Sequence, residues 1–186
     1  MNGKKRNSHR TFRRCDVVET GKRQKVLLLG IGNEYRGDDG AGLLFTRMIR
    51  TKISGSVTLK ESQGEGGALM EAWQGYETVI LVDAISSGAP SGTIMKIDAT
   101  KQNIPAKYFR FSTHAFGLAE AIELARALKT LPENLLVYGI EGANFSPGNE
   151  ITPSVERSVK RVVKEALHEL LSRSANDASL SPADSG

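Results

Sequence analysis

Four residues of this chain could do chemistry together. Asp38 and Asp39 stand in the loop Gly30-Ile31-Gly32-Asn33-Glu34-Tyr35-Arg36-Gly37-Asp38-Asp39-Gly40-Ala41-Gly42, which follows an apolar run and opens into helical periodicity. Asp83 directly ends a second apolar run, Val79 to Val82, so its carboxylate should project from the tip of a central strand. His114 follows Lys107-Tyr108-Phe109-Arg110-Phe111, read as a strand or extended loop, and precedes a helix starting near Phe116. Two carboxylates with one imidazole make a hard-to-borderline ligand set. It suits zinc, nickel or a similar divalent ion with coordination positions left open. A helix N-terminus close to His114 would keep the imidazole neutral and able to ligate.

Each of these residues also has a plainer reading. Asp39 can cap the helix that follows it. Asp83 can cap a turn with Ser86 or Ser87, and His114 can be a loop or cap histidine. His168 lies among Lys164, Glu165 and Glu169 and reads as solvated, while His9 is in a basic tail. Trp73 and Tyr76 read as packing residues, since no basic and aromatic residues interleave around them. Spacing by itself goes no further than an α/β protein with a candidate acidic metal site.

The elements that must position these residues follow from hydrophobic patterning. Val26-Leu27-Leu28-Leu29 and Val79-Ile80-Leu81-Val82 are unbroken apolar runs, as in strands buried on both faces of a parallel sheet. Val57-Thr58-Leu59 and Leu135-Leu136-Val137-Tyr138 read as further strands, and Thr93-Ile94-Met95-Lys96-Ile97 as a half-exposed one. Helices are expected over about 40–51, 67–73 and 116–129. The last helix is the clearest, with Thr152 as N-cap, Pro153 at its first position, and Val155, Val159, Val162, Val163, Ala166, Leu167 and Leu170 recurring at helical spacing. The alternation predicts an α/β sandwich built from right-handed crossovers. Open α/β sheets bind ligands beyond the carboxyl ends of their strands, which is where Asp39, Asp83 and His114 would converge.

Composition removes several other functions. The chain has 186 residues, 39% apolar and 25% charged, with the single cysteine Cys15. That is enough for one folded domain of residues 26–172, and it excludes disulfide frameworks and cysteine-built metal sites within the monomer. The longest apolar runs are too short to cross a bilayer, so no membrane partner is expected. The formal charge is +4, but residues 1–25 hold nine Lys or Arg against Asp16 and Glu19, a net +7 that leaves −3 on the rest. Basicity is therefore a property of the tail, which reads as a disordered extension, and a nucleic-acid partner is not expected. No secretory apolar segment follows it, so a cytoplasmic protein is expected. Residues 173–186, rich in Ser, Ala, Asp and Pro, read as a disordered C-terminal tail.

Familiar catalytic loops are missing too. The third glycine of G-x-G-x-x-G would fall at Tyr35, and Glu34, Asp38 and Asp39 would repel a pyrophosphate, so a Rossmann cofactor site is not expected. No G-x-x-x-x-G-K-[ST], G-x-S-x-G or H-E-x-x-H occurs.

Taken in order, a set of motifs resembles the hydrogenase maturation endopeptidase family from about Val26 to Leu171. They are Gly30-Ile31-Gly32-Asn33, Asp38-Asp39 with Gly42, Val79 to Ala84, Gly92-Thr93, Ser112-Thr113-His114 with Gly117-Leu118, and Gly139-Ile140-Glu141 leading to Ile151-Thr152-Pro153-Ser154-Val155. The resemblance implies a twisted, mostly parallel sheet between helices. With the five strands above, the expected architecture is a three-layer α/β/α sandwich. It implies an endopeptidase that removes the C-terminal extension of a nickel–iron hydrogenase large-subunit precursor. Asp39, Asp83 and His114 would contact nickel already inserted into that precursor, while Asp39 or Asp38 takes a proton from the attacking water. The catalytic candidates are thus Asp38, Asp39 and Asp83, in an enzyme of aspartic or metal-assisted type. Glu61 to Gly67 matches a loop flanking the family's cleft. The basic extension lies outside the family pattern, and Gly142 stands where a proline is common. A competing reading is a non-catalytic nickel-sensing or partner-binding module on the same fold.

Overall fold

The computed structural model describes residues 25–53, 57–109, 116–148 and 150–179, with the backbone alone for 174–179. The basic segment 1–24, the end 180–186 and the segment 110–115 that carries His114 lie outside the described residues. Five strands alternate with four helices among them. The strands are β1 (Val26–Ile31), β2 (Val57–Ser62), β3 (Thr78–Ile85), β4 (Ile94–Asp98) and β5 (Asn134–Glu141). The helices are α1 (Ala41–Ile49), α2 (Gly66–Trp73), α3 (Leu118–Ala127) and α4 (Pro153–Ser179).

The sheet has the order β2-β1-β3-β5-β4. All neighbours run parallel except β4, which is antiparallel to β5. Every residue of β1 and β3 is buried, as their unbroken apolar runs require. On one face Leu27, Leu29, Leu81 and Val137 pack against α2 and α3 through Leu69, Trp73 and Ile122. On the other, Leu28, Ile80, Val82 and Tyr138 meet Phe45 and Ile49 of α1 and Val159 and Val163 of α4. Each such apolar side chain contributes about 1.5–3 kcal/mol on leaving water. A register slip of one residue would exchange the two faces and expose both sets. This is the three-layer α/β/α sandwich with a mostly parallel five-stranded sheet that was expected.

Three local expectations need correction. Asp83 does not end its strand, because β3 continues through Ala84 and Ile85, both buried and paired with Ile140 and Glu141. The stretch before His114 is not extended at its start, since Pro105 leads into a 3-10 turn over Ala106–Tyr108. Residues 173–179, assigned by composition to a disordered tail, continue α4. Neither Gly nor Pro interrupts the chain there before Pro182, so nothing stops the helix. No helix of the described residues is long and apolar enough to cross a membrane.

Candidate active site at the carboxyl end of the sheet

Close backbone packing brings the acidic loop to the strand ends. The loop enters a 3-10 turn over Gly37–Gly40 and passes directly into α1. A Cβ on Gly42 would lie 2.3 Å from the carbonyl oxygens of both Ile31 and Val82, and one on Gly30 would lie 2.1 Å from that of Gly42. Only glycines let α1 sit this low over β1 and β3. Gly32, at φ +142°, lets the Asn33 N–H donate to the Asp39 carbonyl at 3.2 Å, where a Cβ would stand 1.7 Å from that oxygen.

The result is a pair of buried carboxyls, Asp39 at 7% and Asp83 at 6% exposure. Burial raises the Asp39 carboxyl above its ordinary range, against the pull of the Arg36 guanidinium and a backbone N–H of Asn33. Burial, then the negative charge of Asp39, pushes Asp83 up to about 8, against one hydrogen bond donated by the Ala84 N–H at 2.8 Å. The plainer roles open to these residues are filled by others. Gly40, not Asp39, is the N-cap of α1. The turn after β3 is held by Glu141, whose carboxylate accepts from the Ser87 N–H and Oγ and from the Gly88 N–H at 2.7–2.9 Å.

Asp38 points elsewhere. Its side chain is fully buried, and its oxygens accept from the N–H groups of Ala143 (2.7 Å), Asn144 (3.0 Å) and Thr152 (2.7 Å) and from the Thr152 hydroxyl (3.2 Å). Its own N–H donates to the Asn144 carbonyl at 2.9 Å. One carboxylate thereby fastens the 3-10 turn to both ends of the β5–α4 connection. A hydroxyl chain continues from Thr152 to Ser154 and Ser91. Gly142, in the same connection, donates its N–H to the Ile85 carbonyl at 3.0 Å, a bond a proline could not make. Sequence reasoning missed the clamping role of Glu141. The available signal was an acidic residue closing the apolar run of a central strand, as Asp83 nearly does.

The glutamates of the 61–67 segment find structural partners. Glu65 caps α2, accepting from the N–H groups of Gly67 and Ala68. Glu61 Oε1 lies 2.5 Å from the Thr46 hydroxyl. The described chain borders the His114 segment at two anchored points. The Tyr108 carbonyl accepts from Ser86 N–H, three residues beyond Asp83, and the Phe116 carbonyl accepts from Gly66 N–H at the start of α2. A Cβ on Gly66 would meet the Phe116 ring at 2.4 Å. Beside the Asp39 loop, a cavity of about 270 Å³ opens among Gly32, Asn33, Tyr35, Glu61, Ser62 and Gln63. Tyr35 stands on its lining, 73% exposed.

Comparison with known proteins fits this architecture. The family model for hydrogenase maturation protease matches residues 48–169, more than half of the chain, a span that contains Asp83 and His114 and starts after Asp39. The chain is 25% identical over 148 residues to the hydrogenase 2 maturation protease of Escherichia coli K12, covering 77% of this chain and 88% of that protein. It is 26% identical over 151 residues to a hydrogenase expression/formation protein of Thiocapsa roseopersicina, covering 78% and 67%. The solved structure of the hydrogenase maturating endopeptidase of E. coli has the same fold, with a TM-score of 0.64 at 21% identity over 78% of this chain and 91% of that one. With its sheet, its helical layers and most of its length accounted for in this way, the chain belongs to the hydrogenase maturation protease family and is a peptide hydrolase.

Proposed function

We propose that this enzyme removes the C-terminal extension of a nickel–iron hydrogenase large-subunit precursor in the cytoplasm, and that it recognises the nickel which that substrate already carries. The observation that carries the reading is the buried Asp39–Asp83 pair: burial pushes both carboxyls upward, and the charge of Asp39 raises Asp83 further. Such a pair stores electrostatic cost that a divalent cation relieves, and carboxylates with an imidazole suit nickel. His114 supplies that imidazole. Its segment is bounded by Tyr108 and Phe116, bonded to Ser86 and Gly66.

Asp39, Asp83 and His114 hold the substrate nickel and so place the scissile bond over the carboxyl end of the sheet. Asp39 then acts as general base toward the attacking water, because the neighbouring Asp38 spends its lone pairs on four donors. The water oxygen adds to the scissile carbonyl carbon while Asp39 takes its proton. That proton passes to the leaving nitrogen as the C–N bond breaks, giving a new carboxyl terminus and a free amine. Polarisation of the carbonyl by the substrate metal would supply several kcal/mol of oxyanion stabilisation.

The test is cleavage of nickel-loaded precursor, read as mass loss at its C-terminus. Asp83→Asn and His114→Ala should fold and fail to cleave, and nickel-free precursor should remain whole with the wild-type enzyme. Unchanged cleavage by either variant refutes the assignment. Binding of the precursor by wild-type enzyme without mass loss would instead establish a nickel-sensing module.

A further inference from the structure

Among the described residues, the edge strand β2 carries an unpaired row of backbone groups that leads to the site. The Gly32 N–H donates to the Ser62 carbonyl at 3.0 Å, so the backbone groups of Ser62 face β1. Alternation along a strand then turns those of Lys60 and Thr58 toward β1 as well, and those of Val57, Leu59 and Glu61 away from the sheet. β2 is the outermost strand on this side, and no strand among the described residues pairs with that outer edge. Exposed edges are ordinarily blunted by charged side chains or by a covering element. Here the Lys60 ammonium is drawn off onto α2, bonded to the Ala72 carbonyl at 3.1 Å and lying over the Tyr76 ring. Glu61 is turned to Thr46 of α1. At the carboxyl end of this edge lies the cavity of about 270 Å³, lined by Glu61, Ser62 and Gln63 on one side and by Gly32, Asn33 and Tyr35 on the other. The Asn33 N–H is in turn bonded to the Asp39 carbonyl. Edge, cavity and Asp39 are therefore contiguous. The opposite edge strand, β4, is separated from β1 and its loop by two strands.

We propose that β2 is the docking edge for the polypeptide substrate, which adds to it as a sixth, extended strand through the N–H and C=O groups of Val57, Leu59 and Glu61. One substrate side chain enters the cavity, and the scissile bond arrives at Asp39. An occupant other than a polypeptide in extended form would not match this surface, because only such a chain repeats donors and acceptors at the spacing of the alternate residues of β2. Main-chain pairing of this kind supplies affinity that is blind to sequence, and the cavity supplies selectivity at one position. The proposal rests on the function given above, in that the chain which docks is the client precursor.

Leu59→Pro tests it. Proline keeps a strand-compatible φ and deletes the outward N–H without touching the β1 ladder. Leu59→Ala is the reference for lost side-chain packing. With nickel-loaded precursor, Leu59→Pro should raise KM about fivefold over Leu59→Ala, the effect of one hydrogen bond, with kcat unchanged. A KM equal to that of Leu59→Ala, with cleavage intact, overturns docking on β2 and leaves the proteolytic reading standing. No cleavage by the wild-type enzyme overturns both. Should Leu59→Pro fail to fold, pulsed amide hydrogen exchange on wild-type enzyme saturated with precursor decides. Slowed exchange at Leu59 and Glu61 supports the edge, and unchanged exchange there overturns it.

Discussion

Replacing Asp38 by asparagine separates a clamp from a base. In the native protein one oxygen of Asp38 accepts from the Thr152 N–H, and the other accepts from the N–H groups of Ala143 and Asn144 and from the Thr152 hydroxyl. An amide with its oxygen toward the three donors places its NH2 against the Thr152 N–H alone. That bond to a charged group is lost, about 1.5–3 kcal/mol, and the three that remain are no longer made to a charge. Ala143 is exposed and Asn144 half-buried, so water softens the weakening of their bonds, and the expected loss is about 3 kcal/mol in all. That is a large fraction of the 5–15 kcal/mol typical of a domain, yet Asp38→Asn should still fold at 25 °C. Urea unfolding measures the loss, and the pH profile of kcat/KM measures the chemistry. With Asp38 as clamp, the midpoint falls and the acidic limb of the profile remains, because Asp39 still accepts the proton. The reasoning is refuted if Asp38→Asn unfolds within about 0.5 kcal/mol of wild type while cleavage drops by about 10²-fold or more and the acidic limb disappears.

Other perturbations follow the same geometry. Asp83, at about 8 in the folded protein against 3.8 ordinarily, binds one more proton folded than unfolded between about pH 4 and pH 8. Stability of the client-free enzyme should therefore fall as pH rises through that window, by at most about 1.4 kcal/mol per pH unit, and level off above it. Asp83→Asn should flatten the slope in chemical unfolding at a series of pH values, and an unchanged slope would exclude Asp83 as its source. Gly42→Ala drives a methyl into two backbone carbonyls that no side-chain rotation can relieve, so a loss of about 3 kcal/mol is expected by denaturant unfolding, together with loss of cleavage. Glu141→Gln removes the charge that holds Ser87 and Gly88 and should cost about 2 kcal/mol, a melting shift of about 4–8 °C for a domain of this size. A melting point unmoved by Glu141→Gln would mean that the loop does not depend on that carboxylate.

What could be read from the sequence, and what could not, divides along a physical line. β1 and β3 were legible because strands buried on both faces leave no polar alternation to misread, and the apolar stripe of α4 reappears residue for residue against the sheet. The placement of Asp39 and Asp83 was legible in outline, since a loop after one central strand and the end of the next must open on the same side of a parallel sheet. The difference between Asp38 and Asp39 was not. They are neighbours of one type, and a single 3-10 turn sends one carboxylate into a buried clamp and leaves the other beside Asp83. The donors that decide this are mainly main-chain N–H groups of Ala143, Asn144 and Thr152, more than a hundred positions away. Every residue but proline offers such a group, so no pattern of side chains announces it. The same holds for Glu141, whose partners are largely the backbone of Ser87 and Gly88. Acidic residues placed just beyond or near the end of a central apolar run thus leave a trace in residue type and spacing. Those that act by gathering backbone N–H groups become distinguishable only when the fold has brought those groups to them, and for that reason Asp38→Asn has to be judged by stability and pH profile together and not by loss of activity alone.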